Sequence, residues 1–365
     1  EREPLYERNL RNHAKNGRCE MKILHLLKSD RFSGAESVAL TIMDLFPEAE
    51  TIYASADGPI RRVVEQRGHR FYALQDTSAK GVRAAVEELQ PDLIHAHDFS
   101  MASSAAWSAG TIPVVAHLHN NPPWLKKPHP KSIVFALSLP KIRQVISVSS
   151  SVEEEYLFRV LLKGKNTVVG NVVDAEHVKH CAEEPCAAAP VDLVFLGRLC
   201  EPKNPLMFCR IVNEVKKCYP NVSARMIGDG ELRSQVETYL RESGLEQAVE
   251  LAGFQSNPYQ YLTKSRIMLM PSSWEGFGLA AVEGLLLGKP VLCSGAGGLK
   301  DIVDESCGAI CTTEVEYAAA VDKILRPDVY TVISQNAVER SRKFTDLVAY
   351  KNKIENVYDM ALGKG

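Results

Sequence analysis

From position 21 onward, short apolar runs alternate with stretches of helical spacing. In the first half the runs fall at 21–27, 51–54, 70–74, 93–96, 113–118 and 144–148. They are rich in β-branched residues and almost continuously apolar, which predicts strands of a parallel sheet buried on both faces. The segments between them, such as 35–46 and 81–89, have the spacing and length of crossover helices. Residues 172–190 break the rhythm, being poor in large apolar side chains and rich in Ala, Glu and Pro. A second series follows at 192–196, 222–227, 249–252, 267–270, 291–293 and 309–311. The pattern predicts an α/β protein of two doubly wound, Rossmann-like domains. The first covers 21–172 and takes back a C-terminal helix at about 344–365; a linker spans 173–190; the second covers 191–343. Residues 1–20 are charged and aperiodic, and are set aside as a polar leader or a cloning remnant.

Composition narrows the picture. The 365 residues carry a net charge of −2, so nothing global points to a nucleic-acid partner. The nine cysteines are odd in number and form no Cys-x-x-Cys pair, which suits reduced, packed thiols in the cytosol. No apolar run reaches the ~18–20 residues of a membrane span. The expected location is therefore cytoplasmic, with peripheral contact at the inner face of the membrane as an added expectation from the chemistry below.

In doubly wound sheets, ligands bind beyond the C-terminal ends of the strands. Four glycine turns fall at such ends: Ser33-Gly34-Ala35, Gly197-Arg198, Gly228-Asp229-Gly230 and Gly276-Phe277-Gly278. The last belongs to WEGFGLAAVEGLLLGKPV, residues 274–291. Residues 279–287 read as a helix, so Gly276–Gly278 stands where free backbone N–H groups and the helix dipole attract anions. Glu275 lies just before that helix and Glu283 lies one or two turns in. A diphosphate at the helix end would have a carboxylate on each flank, and carboxylates accept hydrogen bonds from hydroxyls. Hydroxyls on both sides of a diphosphate describe a nucleotide sugar. The plainer alternative makes Glu275 a helix-terminal charge and Glu283 a solvated helix residue.

The whole set of motifs resembles the retaining GT-B glycosyltransferases of family 4. The matching segments include SGAE (33–36), PDLIHAHD (91–98), VVAHLHN (114–120), LGRLCEPKNP (196–205), IGDGELR (227–233) and GAGGLKDIV (295–303), besides the stretch around Glu275. The resemblance implies two domains facing across a donor-binding cleft. It implies that Glu275 holds hydroxyls of the donor sugar and Glu283 the ribose. The backbone of Gly276, Phe277, Gly278 and Leu279 meets sugar and phosphate, Arg198 and Lys203 bind the diphosphate, and Gly34 approaches it from the first domain. His119 is similar to the histidine beside the transferred sugar, and His97 and Asn120 to residues on the substrate side. The implied catalytic set is His119, Glu275, Arg198 and Lys203. Departures exist: Val172 stands where Gly is usual, Lys300-Asp301 where Pro-Glu is frequent, and His117 where Thr is common.

No Asp-x-Asp occurs in the chain, so no metal and no cofactor is expected, with Arg198 and Lys203 stabilising the leaving group. Two His-x-His pairs, His95/His97 and His117/His119, also invite a chelation reading, because i and i+2 share a strand face. The expected donor is a UDP-sugar, with GDP-mannose second, and the acceptor a saccharide or polyprenyl lipid-linked glycan in bacterial surface polysaccharide or glycolipid synthesis. Between Asp98 and Glu153 there is no acidic residue, while Lys126, Lys127, Lys131, Lys141, Arg143, Trp124 and Phe135 all fall there. Residues 121–143 thus read either as a contact for an anionic membrane or as an ordinary loop and core helix. The rival functions are another GT-B enzyme, such as a nucleotide-sugar epimerase, and a non-catalytic nucleotide-sugar binder.

Overall fold

The computed structural model describes residues 21–364. By internal contacts the chain forms two compact units, one running to Gly170 and resuming at Leu347, the other Asn171–Asp346. In the first unit β1 (Lys22–Leu26), β2 (Glu50–Ser55), β3 (Arg70–Ala73), β4 (Leu93–His97), β5 (Val114–Leu118), β6 (Gln144–Ser147) and β7 (Asn166–Val168) form one sheet, ordered β3-β2-β1-β4-β5-β6-β7. Every pairing is parallel. The central strands are buried end to end, which is why their sequence shows no alternation. β7 is absent from the sequence reading: three residues of mixed polarity at a sheet edge leave no pattern to detect.

The second unit repeats the topology with β8 (Val191–Leu196), β9 (Ala224–Ile227), β10 (Val249–Gly253), β11 (Ser265–Met270), β12 (Val291–Cys293) and β13 (Gly308–Ile310), ordered β10-β9-β8-β11-β12-β13. Its first crossover helix, Pro205–Cys218, shows how the elements are specified. Asn204 caps it by accepting the Met207 N–H, and Pro205 takes the first turn, where its missing donor costs nothing. Phe208, Ile211, Val212 and Val215 then repeat at helical spacing and pack on Leu193 and Phe195. Burying each such side chain is worth ~1.5–3 kcal/mol.

The C-terminal helix Leu347–Leu362 belongs to the first unit and buries Tyr350, Ile354, Val357 and Tyr358. Residues 173–190, expected to be a bare linker, contain the helix Ala175–Ala182, capped by Asp174 and anchored by the buried Val178. Asn257 donates to the Cys181 carbonyl at 2.7 Å, so this helix is part of the second unit. One buried side chain in eight residues gives little hydrophobic signal, and the cap alone was too weak to announce it. The eight described cysteines carry free thiols. Among the described residues no helix is long and apolar enough to cross a membrane.

Candidate functional site

Each sheet reverses its strand order once, between β1 and β4 in the first unit and between β8 and β11 in the second. The crevice outside the strand ends at such a switch point is where doubly wound sheets bind ligands. The chemistry predicted from sequence collects at these two places.

In the second unit, β8 runs into Gly197 and Arg198, and β11 into the loop that carries Glu275. Gly228 packs on the first of these turns so closely that a Cβ would lie 2.0 Å from the Gly197 carbonyl oxygen, and its φ of 135° further restricts the position to glycine. The two switch-point loops are tied together: the Ser273 N–H donates to the Pro202 carbonyl at 2.7 Å, and Lys203 Nζ forms a short ion pair with Glu275 Oε2. The Ser272 hydroxyl stands 3.5 Å from the same carboxylate oxygen. The helix Leu279–Leu286 starts at Gly278, whose φ is 109° and whose Cβ, if present, would meet Leu299 Cδ2 at 2.6 Å. Phe277 is buried, edge-on to Phe344, and the Gly276 carbonyl accepts from Gly298.

Glu283 points back to the same place. Tyr259 donates its hydroxyl to Glu283 Oε1 at 3.1 Å. Burial raises the Glu283 carboxyl above its ordinary range, while the Tyr259 hydrogen bond and the charge of Lys203 pull it down. Lys203 is therefore paired with Glu275, and its charge is also felt at Glu283. The solvated-residue reading of Glu283 does not hold, and Lys203 is not a free cation but one already engaged by Glu275. Arg198 is exposed on its turn. Tyr259 was not foreseen, because its bond to Glu283 crosses 24 residues with no fixed-spacing signal.

In the first unit, Gly34 opens the helix Gly34–Leu45 after β1, with Ser33 at its N-cap. The Ser33 hydroxyl bonds the buried Glu36 carboxylate. Burial raises the Glu36 carboxyl, and the nearby Asp98 adds to the rise. Asp98, just after β4, holds φ at 109°, an uncommon and strained value for a residue other than glycine. Its Oδ1 accepts from the Ser100 and Met101 N–H groups at 2.6 and 2.8 Å and caps the next helix. Glu36 and Asp98 thus mark the switch point of this sheet, and neither was singled out from sequence.

Five histidines share one face of this sheet. His25, His95, His97 and His117 are buried, and His119, just past β5, is partly exposed. Burial lowers every one of these imidazoles, His25 and His119 to about 3. Two trios, His25/His95/His97 and His97/His117/His119, each bring ring nitrogens within 4.8 Å of one another. Asn120 is exposed beside them, whereas Asn121 is buried and donates to Glu155 at 2.9 Å. In the basic window, Phe135 is fully buried against Phe99, which corrects its reading as a surface aromatic. The exposed apolar positions there are Ile133, Val134 and Leu137.

Known proteins place this geometry. The sequence pattern described as "Glycosyltransferase Family 4" matches residues 36–177, and that described as "Glycosyl transferases group 1" matches residues 183–340. An uncharacterized glycosyltransferase of Methanocaldococcus jannaschii, MJ1059, is 30% identical over 138 residues, 36% of this chain and 34% of its own. The N-acetylgalactosamine-N,N'-diacetylbacillosaminyl-diphospho-undecaprenol 4-alpha-N-acetylgalactosaminyltransferase of Campylobacter jejuni is 26% identical over 185 residues, 50% of this chain and 49% of its own. The chain thus spans about a third to a half of the length of these curated relatives. The solved structure of Anabaena Alr3699/HepE with UDP and glucose superposes with a TM-score of 0.79 at 21% identity, covering 93% of this chain and 100% of that one. That likeness establishes the fold as GT-B, two Rossmann-like domains. With one family pattern on each unit and together spanning most of the sequence, the chain belongs to glycosyltransferase family 4.

Proposed function

We propose that this protein transfers a sugar, with retention of anomeric configuration, from a nucleotide diphosphate sugar to a saccharide or lipid-linked acceptor. The observation that carries the reading is the Lys203–Glu275 ion pair, with Glu283 within reach of the Lys203 charge, at the glycine-built start of the helix Leu279–Leu286. A diphosphate arriving at that helix start competes with Glu275 for the Lys203 ammonium, freeing the carboxylate for sugar hydroxyls. Glu283, held by Tyr259, accepts from the ribose. Arg198 and Lys203 offset the charge of the departing diphosphate, so transfer runs without a metal ion or other cofactor. In the first domain the resemblance assigns Gly34 to the diphosphate and His119 to the transferred sugar, with His97 and Asn120 on the substrate side.

In the transfer, the acceptor oxygen bonds to the anomeric carbon on the face from which the phosphate oxygen leaves, and the departing phosphate takes the acceptor proton. The protein supplies orientation and electrostatics rather than a covalent nucleophile. A UDP-sugar is the favoured donor, since the Anabaena relative was solved with UDP and glucose, and GDP-mannose is second. The undecaprenol-linked substrate named for the Campylobacter relative supports a lipid-linked acceptor and a place in bacterial surface glycan synthesis. Contact with an anionic membrane fits the same substrate. Ile133, Val134 and Leu137 (64% exposed) lie on one helix face, flanked by exposed Lys127, Lys131 and Lys141.

The test is a calorimetric screen of UDP-, GDP- and ADP-sugars with and without EDTA, on wild type and Glu283→Ala, followed by the anomeric configuration of the product. Binding of one nucleotide sugar that survives EDTA and weakens in Glu283→Ala, with a retained anomer, bears the proposal out. Binding without transfer to any acceptor makes the protein a sugar-nucleotide binder, and an inverted or epimerised product removes it from the retaining class. Vesicles containing anionic lipid should bind wild type and lose Leu137→Glu.

A further inference from the structure

The histidines are joined ring to ring. His25 Nδ1 lies 3.1 Å from His97 Nε2, and His97 Nδ1 lies 2.9 Å from His119 Nε2. A second line joins the Tyr358 hydroxyl to His95 Nδ1 at 2.8 Å and His95 Nε2 to His117 Nδ1 at 3.1 Å. The sheet register explains the pattern. His25 stands opposite His95, and His97 opposite His117, yet each ring bonds the histidine two residues beyond its register partner. Both lines therefore climb diagonally toward the C-terminal ends of the strands, one from β1 across β4 to His119, the other from the C-terminal helix across β4 to His117.

The geometry decides between shared protons and a shared metal. The ring centroids of His25 and His97 are 5.4 Å apart, and those of His97 and His119 are 5.1 Å apart. These values exceed the nitrogen–nitrogen separations by about 2 Å, close to twice the centroid-to-nitrogen radius of an imidazole, so each N–H points almost straight at its acceptor as a good hydrogen bond requires. A Zn ion needs nitrogen lone pairs that converge on one point off the line between them, ~2.0–2.1 Å from each, whereas these nitrogens face each other along the line joining the rings.

Each neutral imidazole carries one N–H. Three rings with two bonds between them have just two arrangements, all donating outward or all donating inward, and each leaves one N–H unpaired at an end. His25 Nε2 and His119 Nδ1 are the two ends, both buried without a partner among the described residues. Both atoms are themselves covered, but His25 is wholly enclosed in the sheet whereas part of the His119 ring reaches the surface past the strand end, so a small local movement can hydrate or open the donor at His119 and not at His25. We propose that His25 and His97 are positioning residues that hold His119 as a neutral imidazole with Nε2 accepting and Nδ1–H as its free donor. His119 then offers a ligand a hydrogen-bond donor and never a base. Only the catalytic consequence rests on the proposed function; the tautomer does not.

Long-range 1H–15N spectra of the 15N-histidine-labelled protein, with His119→Gln to identify the His119 signals, read the tautomer directly. The expected result is Nδ1 protonated in wild type and in His25→Asn, whose amide N–H replaces the Nδ1 donor, and a mixture of tautomers in His25→Leu. In the transfer assay His25→Leu should lose about tenfold in kcat with donor KM within about twofold, and His25→Asn should recover it. Nε2–H at His119 in wild type overturns the proposal whether or not any variant folds. So do His119 signals unchanged in a folded His25→Leu, and displacement of all three ring signals by one equivalent of Zn2+. Inactivity of wild type with every donor, alongside the expected spectra, would count against the proposed function alone.

Discussion

The two domains share the order of their first six strands, and each holds a raised carboxyl group at its switch point, but they differ in the polar groups around it. The first fills its sheet face with five neutral imidazoles and two raised carboxyl groups, Glu36 and Asp98. The second places a charged Lys203–Glu275 pair in a partly open position, 25% and 13% exposed. Burial is the deciding variable. A fully enclosed imidazole sheds its charge because desolvation outweighs what its hydrogen bonds return. A pair left near solvent keeps much of its hydration and is not locked in place. One strand order, extended by β7 in the first domain, thus carries uncharged rings in one domain and an ion pair in the other.

Acid should separate the two domains most strongly. The folded-state values of His25 and His119 lie near 3, below the unfolded value of 6.5. Their neutral burial is at no disadvantage above pH 6.5, and stability is lost progressively as pH falls from there toward 3. At pH 5 the loss is about 2 kcal/mol for each of the two. Trp107 and Trp124 report on the first domain and Trp274 on the second. In Trp274→Phe, denaturant titration at pH 7.5 and pH 5 should show a large fall in midpoint. In Trp107→Phe/Trp124→Phe the fall should be small, and equal falls would break the contrast.

Next in size is the loss of the exchangeable cation. Lys203→Met should lower kcat/KM by about 100-fold, on the scale of removing one preorganised electrostatic partner of the leaving group, with the Tm nearly unchanged because the pair is partly exposed. A large drop in Tm instead would make Lys203 a structural residue. The smallest effect is expected from Tyr259→Phe, which takes one hydrogen bond from Glu283. Donor affinity should fall by about threefold to tenfold by calorimetry, and no change would show that Glu283 is oriented without it.

Much of this architecture was legible in the sequence, for identifiable reasons. Strands buried on both faces write continuous apolar runs, and the more exposed β3, β10 and β13 stay apolar enough to show, so twelve of the thirteen described strands were visible, and the glycines at 228 and 278 marked turns that close packing demands. Lys203 came only with the family resemblance, while Glu275 and Glu283 were found because their spacing at a helix start is local. Tyr259, Glu36 and the line from His25 to His119 were not, since their contacts join residues that only the sheet order brings together. His97 and His119 were named as individuals. That His25 extends them inward depends on β1 lying beside β4, which no single strand encodes.

The second domain is a single uninterrupted stretch, Asn171–Asp346, inside a first domain that is split around it. Its two ends are stitched to each other, the Val173 N–H donating to the Phe344 carbonyl at 2.9 Å. Domains whose ends lie close together tolerate excision and exchange. Asn171–Asp346 is therefore a natural cassette. A gene fragment bounded there is the one to excise, or to exchange for the corresponding stretch of a relative.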